Sequence, residues 1–145
     1  MKNILLPYDD SASANRAVQY LIDLSKQCPG MALHVHVLNV QPTHRLYGRN
    51  ALAADVQRQI EAASLENAAE IADKAVAALT AAGVACTSHT EVGDILPQIT
   101  RAIEQNYCDT VVMGTRGMGG LGNLVLGSIA THVVHGVNIP VLLIK

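Results

Sequence analysis

A chain of 145 residues, half of them hydrophobic, is long enough for one domain with a single sizeable core. The net charge is −2, and the only aromatic residues are four tyrosines, so the sequence lacks the basic surface and stacking platform typical of nucleic-acid-binding proteins. No segment is apolar over the length that a bilayer requires, and the N-terminus becomes polar too early for a secretory signal. We therefore expect a cytoplasmic protein with neither a nucleic-acid nor a membrane partner.

The first half of the chain predicts strands alternating with helices. A strand is expected from the N-terminus to Pro7, and a helix capped by Ser11 or Ser13 follows it. Residues 33–40 are expected to form a second strand. Its apolar residues fall on both faces of the strand, which is typical of a strand buried in a parallel sheet. An alanine-rich helix is then expected over residues 52–82. Its predicted buried stripe consists of Val56, Ile60, Ala68, Ile71, Ala75 and Leu79.

The second half continues the alternation. Residues 84–92 predict a strand of mixed polarity, which places it near a sheet edge, and Gly93-Asp94 opens the next helix. An apolar strand at 109–113, a short helix ending near His135 and a last strand at 141–144 complete the pattern. The order predicts an α/β fold with a parallel sheet and helices on both faces.

One domain, residues 1–145, accounts for the whole pattern. Parallel sheets of this class bind ligands beyond the carboxyl ends of their strands, at a topological switch point. We expect the loops after the first and fourth strands to meet there, which places Asp9 opposite the loop that begins at Gly114.

A glycine frame follows the fourth strand: Gly114 and Gly117, nine further residues, and then Gly127-Ser128. It lies between a buried strand and the start of an amphipathic helix. Backbone N–H groups and the helix dipole attract phosphate in that position. In the alternative interpretation, glycines only make the loop flexible. That interpretation accounts well for the inner glycines Gly119, Gly120 and Gly122, but it accounts poorly for the glycine frame.

The inner run, Gly117 to Gly122, matches the pattern G-x-G-x-x-G. A dinucleotide fingerprint also needs an acidic residue about twenty positions later, and Leu142-Leu143 stands there instead. The Walker pattern is absent as well. These two observations exclude a Rossmann dehydrogenase and a Walker-type nucleotide-binding loop.

Of the three charged side chains near the predicted site, Asp9 and Arg116 have two interpretations each. The carboxylate of Asp9 can accept a hydrogen bond from ribose or hold a divalent cation beside phosphates, or it can cap a turn. Asp10 is interpreted as a turn residue. Arg116 can pair with phosphate or remain a solvated loop arginine.

The histidines and cysteines do not predict a metal site. His34 and His36 share a strand face, and His132 and His135 share a helix face, but no further ligands can be located for either pair. All four are interpreted as structural or surface residues. The three cysteines are widely spaced and form no CxxC pair, so we expect them to be reduced thiols. They are Cys28, Cys86 and Cys108.

The chain resembles the ATP-binding branch of the universal stress protein family over nearly its whole length. The long glycine spacing is the specific part of this match, and the other pieces are weak individually. They are the opening Ile4-Leu5-Leu6-Pro7-Tyr8-Asp9, the strand end Leu38-Asn39-Val40, the helix opening Val92-Gly93-Asp94 and the terminal Pro140-Val141-Leu142-Leu143-Ile144.

The resemblance implies a Rossmann-like sheet in the order 3-2-1-4-5, similar to that of the adenine nucleotide α-hydrolases, and a homodimer formed through strand 141–144. It implies ATP as the ligand, with magnesium or manganese as the accompanying ion at Asp9. By analogy Pro7, Tyr8 and Asp9 line the adenosine side, and Val40 contacts adenine. Ribose and phosphates are approached by Met113, Gly114, Arg116 and Gly117, and the phosphates are gripped by Gly127, Ser128 and Ile129.

Two residues depart from the family pattern. Asp10 stands where many relatives have glycine, which adds negative charge near a phosphate site. Arg116 stands where some relatives have histidine.

The leading hypothesis is an ATP-binding stress protein that acts as a nucleotide-dependent regulator or survival factor without catalytic residues. The alternatives are a slow ATPase of the same fold, an adenylate-forming relative, and an interaction module that does not bind nucleotide. A serine- and glycine-rich loop after the first strand is expected of the adenylate-forming relatives, and Pro7 to Ser11 does not match it. The stress signal and the protein partner are left open.

Overall fold

The computed structural model describes residues 1–43, 51–117 and 126–145; for residues 51–53 it describes the backbone alone. The alternation predicted from the sequence is confirmed. In chain order the elements are β1 (Asn3–Pro7), α1 (Ala12–Gln27), β2 (His34–Gln41), α2 (Ala51–Ala81), β3 (Ala85–Val92), α3 (Ile95–Gln105), β4 (Thr110–Gly114), α4 (Ser128–Gly136) and β5 (Val141–Ile144).

The five strands form one parallel sheet in the order β3-β2-β1-β4-β5, as expected. The chain runs outward from β1 to β3, then crosses to β4 and β5 on the other side. The switch point therefore lies between β1 and β4. The mixed polarity of β3 agrees with its position at the edge, where one side of the strand meets solvent.

Helices cover both faces of the sheet and create two apolar clusters. Ile4 and Leu6 of β1 point into the cluster that also contains residues of α1 and α2. Leu5 points the other way, into the cluster formed with α3 and α4. All three side chains are fully buried, because β1 lies at the centre of the sheet with helices on both sides.

The buried stripe predicted for α2 is confirmed only in its second half, where Ala68, Ala75 and Leu79 are buried. The prediction for Val56 is wrong, because this side chain is 37% exposed. A helix of 31 residues is about 46 Å long, whereas a strand of eight residues spans about 26 Å. The first turns of α2 therefore extend beyond the sheet and have no strand to pack against.

Local signals define the ends of α1. Of the two candidate caps, Ser11 is the N-cap, and its hydroxyl accepts a hydrogen bond from the amide of Ala14 at 3.2 Å. The helix ends at Gln27, and its C-cap Cys28 directly precedes Pro29, which cannot continue the hydrogen-bond pattern. Among the residues that the structure describes, no helix combines the length and apolarity needed to cross a membrane.

Candidate functional site

A cavity of about 680 Å³ opens at the carboxyl ends of β1 and β4, which is the switch point of the sheet. Its size falls within the ~300–1,000 Å³ typical of small-molecule sites. All of the residues that the sequence singled out for a ligand lie in its lining. They are Pro7, Tyr8, Asp9, Val40, Met113, Gly114, Arg116, Gly117, Gly127, Ser128 and Ile129.

The cavity has an apolar wall and a polar rim. Strands β2 and β4 and helices α2, α3 and α4 contribute to the apolar wall, which includes Leu38, Val40, Ile71, Ile95, Ile99, Met113 and Ala130. The polar part of the lining includes Asp9, Asn39 and Gln41 together with residues 115–117 and 127–128. Ile95 and Ile99 were predicted only as the inner face of a helix, because a sequence does not show which core side chains border an opening.

At two positions of the glycine frame, other atoms of the protein lie too close to leave room for a side chain. A Cβ atom on Gly114 would lie 2.7 Å from the carbonyl carbon of Ser13 and 2.8 Å from the amide nitrogen of Ala14. A Cβ atom on Gly117 would lie 2.8 Å from Oδ2 of Asp9. The first contact brings the end of β4 against α1, and the second places Asp9 opposite the glycine loop, as predicted.

Two buried hydroxyl groups at the start of α1 hold the backbone of Arg116. Ser11 Oγ donates to the Arg116 carbonyl at 3.2 Å, and Ser13 Oγ makes a shorter hydrogen bond to the same oxygen. The Arg116 amide donates to Ser13 Oγ at 3.3 Å. The sequence predicted these serines only as caps. Their spacing on a first helical turn was the signal available, but their partner lies more than 100 residues away.

We expect Ser13→Ala to lower the free energy of unfolding by about 1–2 kcal/mol, because it removes the acceptor of the Arg116 amide and one of the two hydroxyl donors to the Arg116 carbonyl. Urea denaturation measures this change. Ser25→Ala, in the same helix and half-buried, is the matched control and should change stability by less than about 0.5 kcal/mol. Equal effects of the two substitutions would show that Ser13 does not anchor the loop.

Backbone hydrogen bonds join the two ends of the glycine frame. The Gly127 amide donates to the Thr115 carbonyl at 2.7 Å, and the Thr115 amide donates to the Ile144 carbonyl at 2.8 Å. Gly127 is the N-cap of α4 and has no side chain that could occupy the first amides of the helix. These amides therefore border the cavity at the positive end of the helix dipole. The inner glycines Gly119, Gly120 and Gly122 lie outside the described residues.

The turn-capping interpretation of Asp9 is confirmed, and its carboxylate also lines the cavity. Its Oδ1 accepts a hydrogen bond from the Ser11 amide at 3.1 Å, which is the arrangement of a turn-capping aspartate. Its Oδ2 is directed toward Gly117 across the cavity. The turn therefore orients the carboxylate toward the glycine loop.

The hydroxyl of Tyr8 takes part in a polar cluster behind the cavity. It lies 2.7 Å from Asn15 Oδ1 and 3.0 Å from Asp10 Oδ1. Burial and then the neighbouring carboxylate of Asp10 raise the pKa of Tyr8 well above its usual value, so the phenol remains protonated. The Tyr8 carbonyl accepts a hydrogen bond from Asn39 Nδ2 at 2.7 Å. The residue is thus anchored at both its side chain and its backbone.

Asp10 lies outside the cavity lining and is paired with a cation. Lys74 Nζ of α2 lies 2.5 Å from its carboxylate, and this hydrogen bond is the main reason that the pKa of Asp10 falls to about 2. The backbone of Asp10 has a φ of 61°, a conformation that glycine adopts most easily. Glycine suits position 10 because of this backbone conformation. Lys74 offsets the negative charge that aspartate adds there.

Comparison with known proteins identifies the family. The model of the universal stress protein family matches residues 1–145. The chain belongs to the universal stress protein family. A universal stress protein of Thermus aquaticus is 31% identical over 99% of this chain and 98% of its own length. One from Methanocaldococcus jannaschii is 27% identical over 99% of this chain and 82% of its own length.

Solved structures of universal stress proteins share this fold. The UspA protein of Lactobacillus plantarum has a TM-score of 0.73 at 20% identity, covering 99% of this chain and 97% of that one. An Arabidopsis thaliana family member solved with AMP bound has a TM-score of 0.67 at 19% identity, covering 100% and 92%. An Archaeoglobus fulgidus member in complex with dAMP has a TM-score of 0.62 at 18% identity, covering 100% and 98%.

Three histidines of this universal stress protein form a row on β2 and β3, apart from the cavity lining. His34 and His36 share a face of β2, as predicted, and their ring centroids are 4.6 Å apart. His36 Nδ1 lies 3.0 Å from Nε2 of His89 on β3, a contact that sequence reasoning missed. Burial lowers the pKa of His36 to about 4, and it also lowers the pKa of His89.

Acidification should destabilise the fold through this row. In the unfolded chain His36 takes up a proton near pH 6.5, but in the folded protein its pKa is about 4, so the unfolded state binds more protons between these values. The contribution of His36 is complete above pH 6.5 and is lost as the pH falls toward 4. Because solvent partly screens the group, we expect about 1 kcal/mol from it.

Urea denaturation of the wild type and His36→Gln at pH 7 and pH 4.5 measures this contribution. The variant should lose less stability than the wild type on acidification, whereas His135→Gln, an exposed control, should behave as the wild type does. An equal loss in the wild type and His36→Gln would show that the row does not carry this pH dependence.

Proposed function

We propose that the protein binds ATP in the cavity between β1 and β4 and acts as a nucleotide-dependent stress-response regulator or survival factor. The observation that carries the proposal is the combination, in one cavity, of an apolar wall with a glycine frame that ends at the N-terminus of α4. The AMP and dAMP bound by two structural neighbours support an adenine nucleotide as the ligand.

The residues fit the parts of such a ligand. Val40 and Met113 on the apolar wall suit the faces of adenine, and the first amides of α4 suit phosphate oxygens. Gly117 keeps the space in front of Asp9 open, since a Cβ atom there would meet the carboxylate. Asp9 would hold the magnesium or manganese ion that accompanies the phosphates. The ion neutralises phosphate charge when bound, and this chain orients the nucleotide around it.

Calorimetric titration with ATP in the presence of magnesium tests the proposal. We expect binding by the wild type and at least about a hundredfold weaker binding by Gly117→Val, whose side chain would occupy the cavity. Mass spectrometry of the denatured, freshly purified protein should also detect bound ATP. Absence of both heat and copurified nucleotide in the wild type would favour the interaction module over a nucleotide-binding protein.

We also propose a homodimer formed through β5. This strand is the terminal one of the sheet, and its four residues, Val141–Ile144, are only half-buried. An apolar strand at a sheet edge is stabilised when a second chain covers it. Light scattering during gel filtration should give twice the chain mass of 15.3 kDa. A mass equal to one chain at all concentrations would exclude the dimer.

A further inference from the structure

The histidine row, formed by His34, His36 and His89, lies on the paired strands β2 and β3 and outside the lining of the cavity. His36 is in register with Thr87, and His89 is in register with Leu38, so the two histidines are diagonal neighbours on paired strands. Their side chains lie on the face of the sheet that Leu38 also occupies. Both side chains are only half-buried, so an ion with bound water can approach them.

Two imidazole nitrogen atoms on this face have nearly the spacing of metal ligands. His36 Nδ1 and His89 Nε2 are 3.0 Å apart. Two nitrogen ligands on one zinc ion, each with a bond of about 2.0–2.1 Å and a near-tetrahedral angle, lie about 3.3 Å apart. The ring centroids are 5.3 Å apart, so the rings now point at each other and share a hydrogen bond. Each ring must turn about χ2, a broad torsion in histidine, to direct both nitrogens at one ion.

The protonation state suits a metal ligand. Metal ions bind neutral imidazole, and burial keeps the pKa of both His36 and His89 below the usual value. One ring donates the shared hydrogen bond, so its proton must move to that ring's other nitrogen before both shared nitrogens can bind an ion. Each ring then remains neutral with one N–H, and the ion replaces the hydrogen bond without net proton release. Glu91, two residues along β3, adds negative charge next to His89. His34 remains hydrogen-bonded to Thr87 Oγ1 at 2.8 Å.

We propose that His36 and His89 form a binding site for one divalent transition-metal ion of the imidazole-preferring class, such as Zn²⁺, Ni²⁺ or Cu²⁺. Magnesium and calcium prefer oxygen ligands and are not expected there. Within the described ranges no three His, Cys, Asp or Glu side chains are arranged as a metal site, so water completes the coordination. The ion links β2 to the edge strand β3 and stabilises that pairing.

Calorimetric titration of the nucleotide-free protein with Zn²⁺ at pH 7.5 tests the site. We expect the double variant His36→Asn/His89→Asn to bind at least about tenfold more weakly than the wild type, since it lacks both nitrogen ligands. The matched control is His132→Asn/His135→Asn, which removes two exposed histidines of α4 and should leave the tight site unchanged. Loss of binding in the control instead of the double variant would overturn the proposal.

A second measurement needs no variant. Paramagnetic Ni²⁺ added to the isotope-labelled wild type should broaden the NMR signals of β2 and β3 around His36 and His89 before those of other segments. Broadening centred on α4 or on the cysteines would place the ion elsewhere and refute the site. The double variant should still bind ATP as the wild type does, because neither histidine lines the cavity. The two sites are therefore tested independently.

Discussion

Replacing Gly114 with alanine should lower the free energy of unfolding by roughly 2–4 kcal/mol, because the methyl group overlaps backbone atoms that cannot move aside. The new Cβ atom would lie 2.7 Å from the Ser13 carbonyl carbon and 2.8 Å from the Ala14 amide nitrogen. To relieve these contacts, the end of β4 must move away from α1. That movement also displaces Arg116, so nucleotide binding should weaken together with stability.

Urea denaturation measures the loss, and Gly30→Ala is the matched control. A Cβ atom on Gly30 meets nothing within 4 Å, and the residue is exposed, so we expect a change of less than about 0.5 kcal/mol. If Gly114→Ala were as stable as Gly30→Ala, the close approach of β4 to α1 could not be a constraint on this fold.

Replacing Asp9 with asparagine should make ATP binding insensitive to magnesium. The amide oxygen of asparagine can still accept the Ser11 amide hydrogen that Oδ1 of Asp9 accepts at 3.1 Å, so the turn is retained. The negative charge that would hold the ion is lost, and we expect the affinity for Mg–ATP to fall by about tenfold, or ~1.4 kcal/mol. Without metal, the variant should bind ATP at least as tightly as the wild type, because a carboxylate near the phosphates is gone.

Calorimetry with magnesium and with EDTA separates these effects. Asp10→Asn is the control at the adjacent position, since Asp10 lies outside the cavity lining and is paired with Lys74. Its magnesium dependence should match that of the wild type. An equal loss of affinity for Asp9→Asn with and without magnesium would assign Asp9 to ribose or to the turn instead of a metal ion.

Several residues show how far local patterns could predict this molecule. The apolar runs of β1 and β4 and the break at Pro29 identified elements correctly, because each depends on neighbours in the chain. Val56 was assigned to the core because its helical spacing is the same as that of Leu79, and only the length of the sheet shows that it is exposed. His89 was overlooked because its contact with His36 depends on the register of β2 and β3.

The sequence by itself determined the order of strands and helices, the parallel α/β class, the glycine frame and the resemblance that led to the residues lining the cavity. These features are carried by periodicity, by special backbone requirements and by fixed spacing, all of which act over a few residues. Only the tertiary structure decided that Ser13 holds Arg116, that Lys74 offsets Asp10, and that His36 meets His89. Each of these contacts joins segments more than 50 residues apart, and the crossovers of the sheet bring them together.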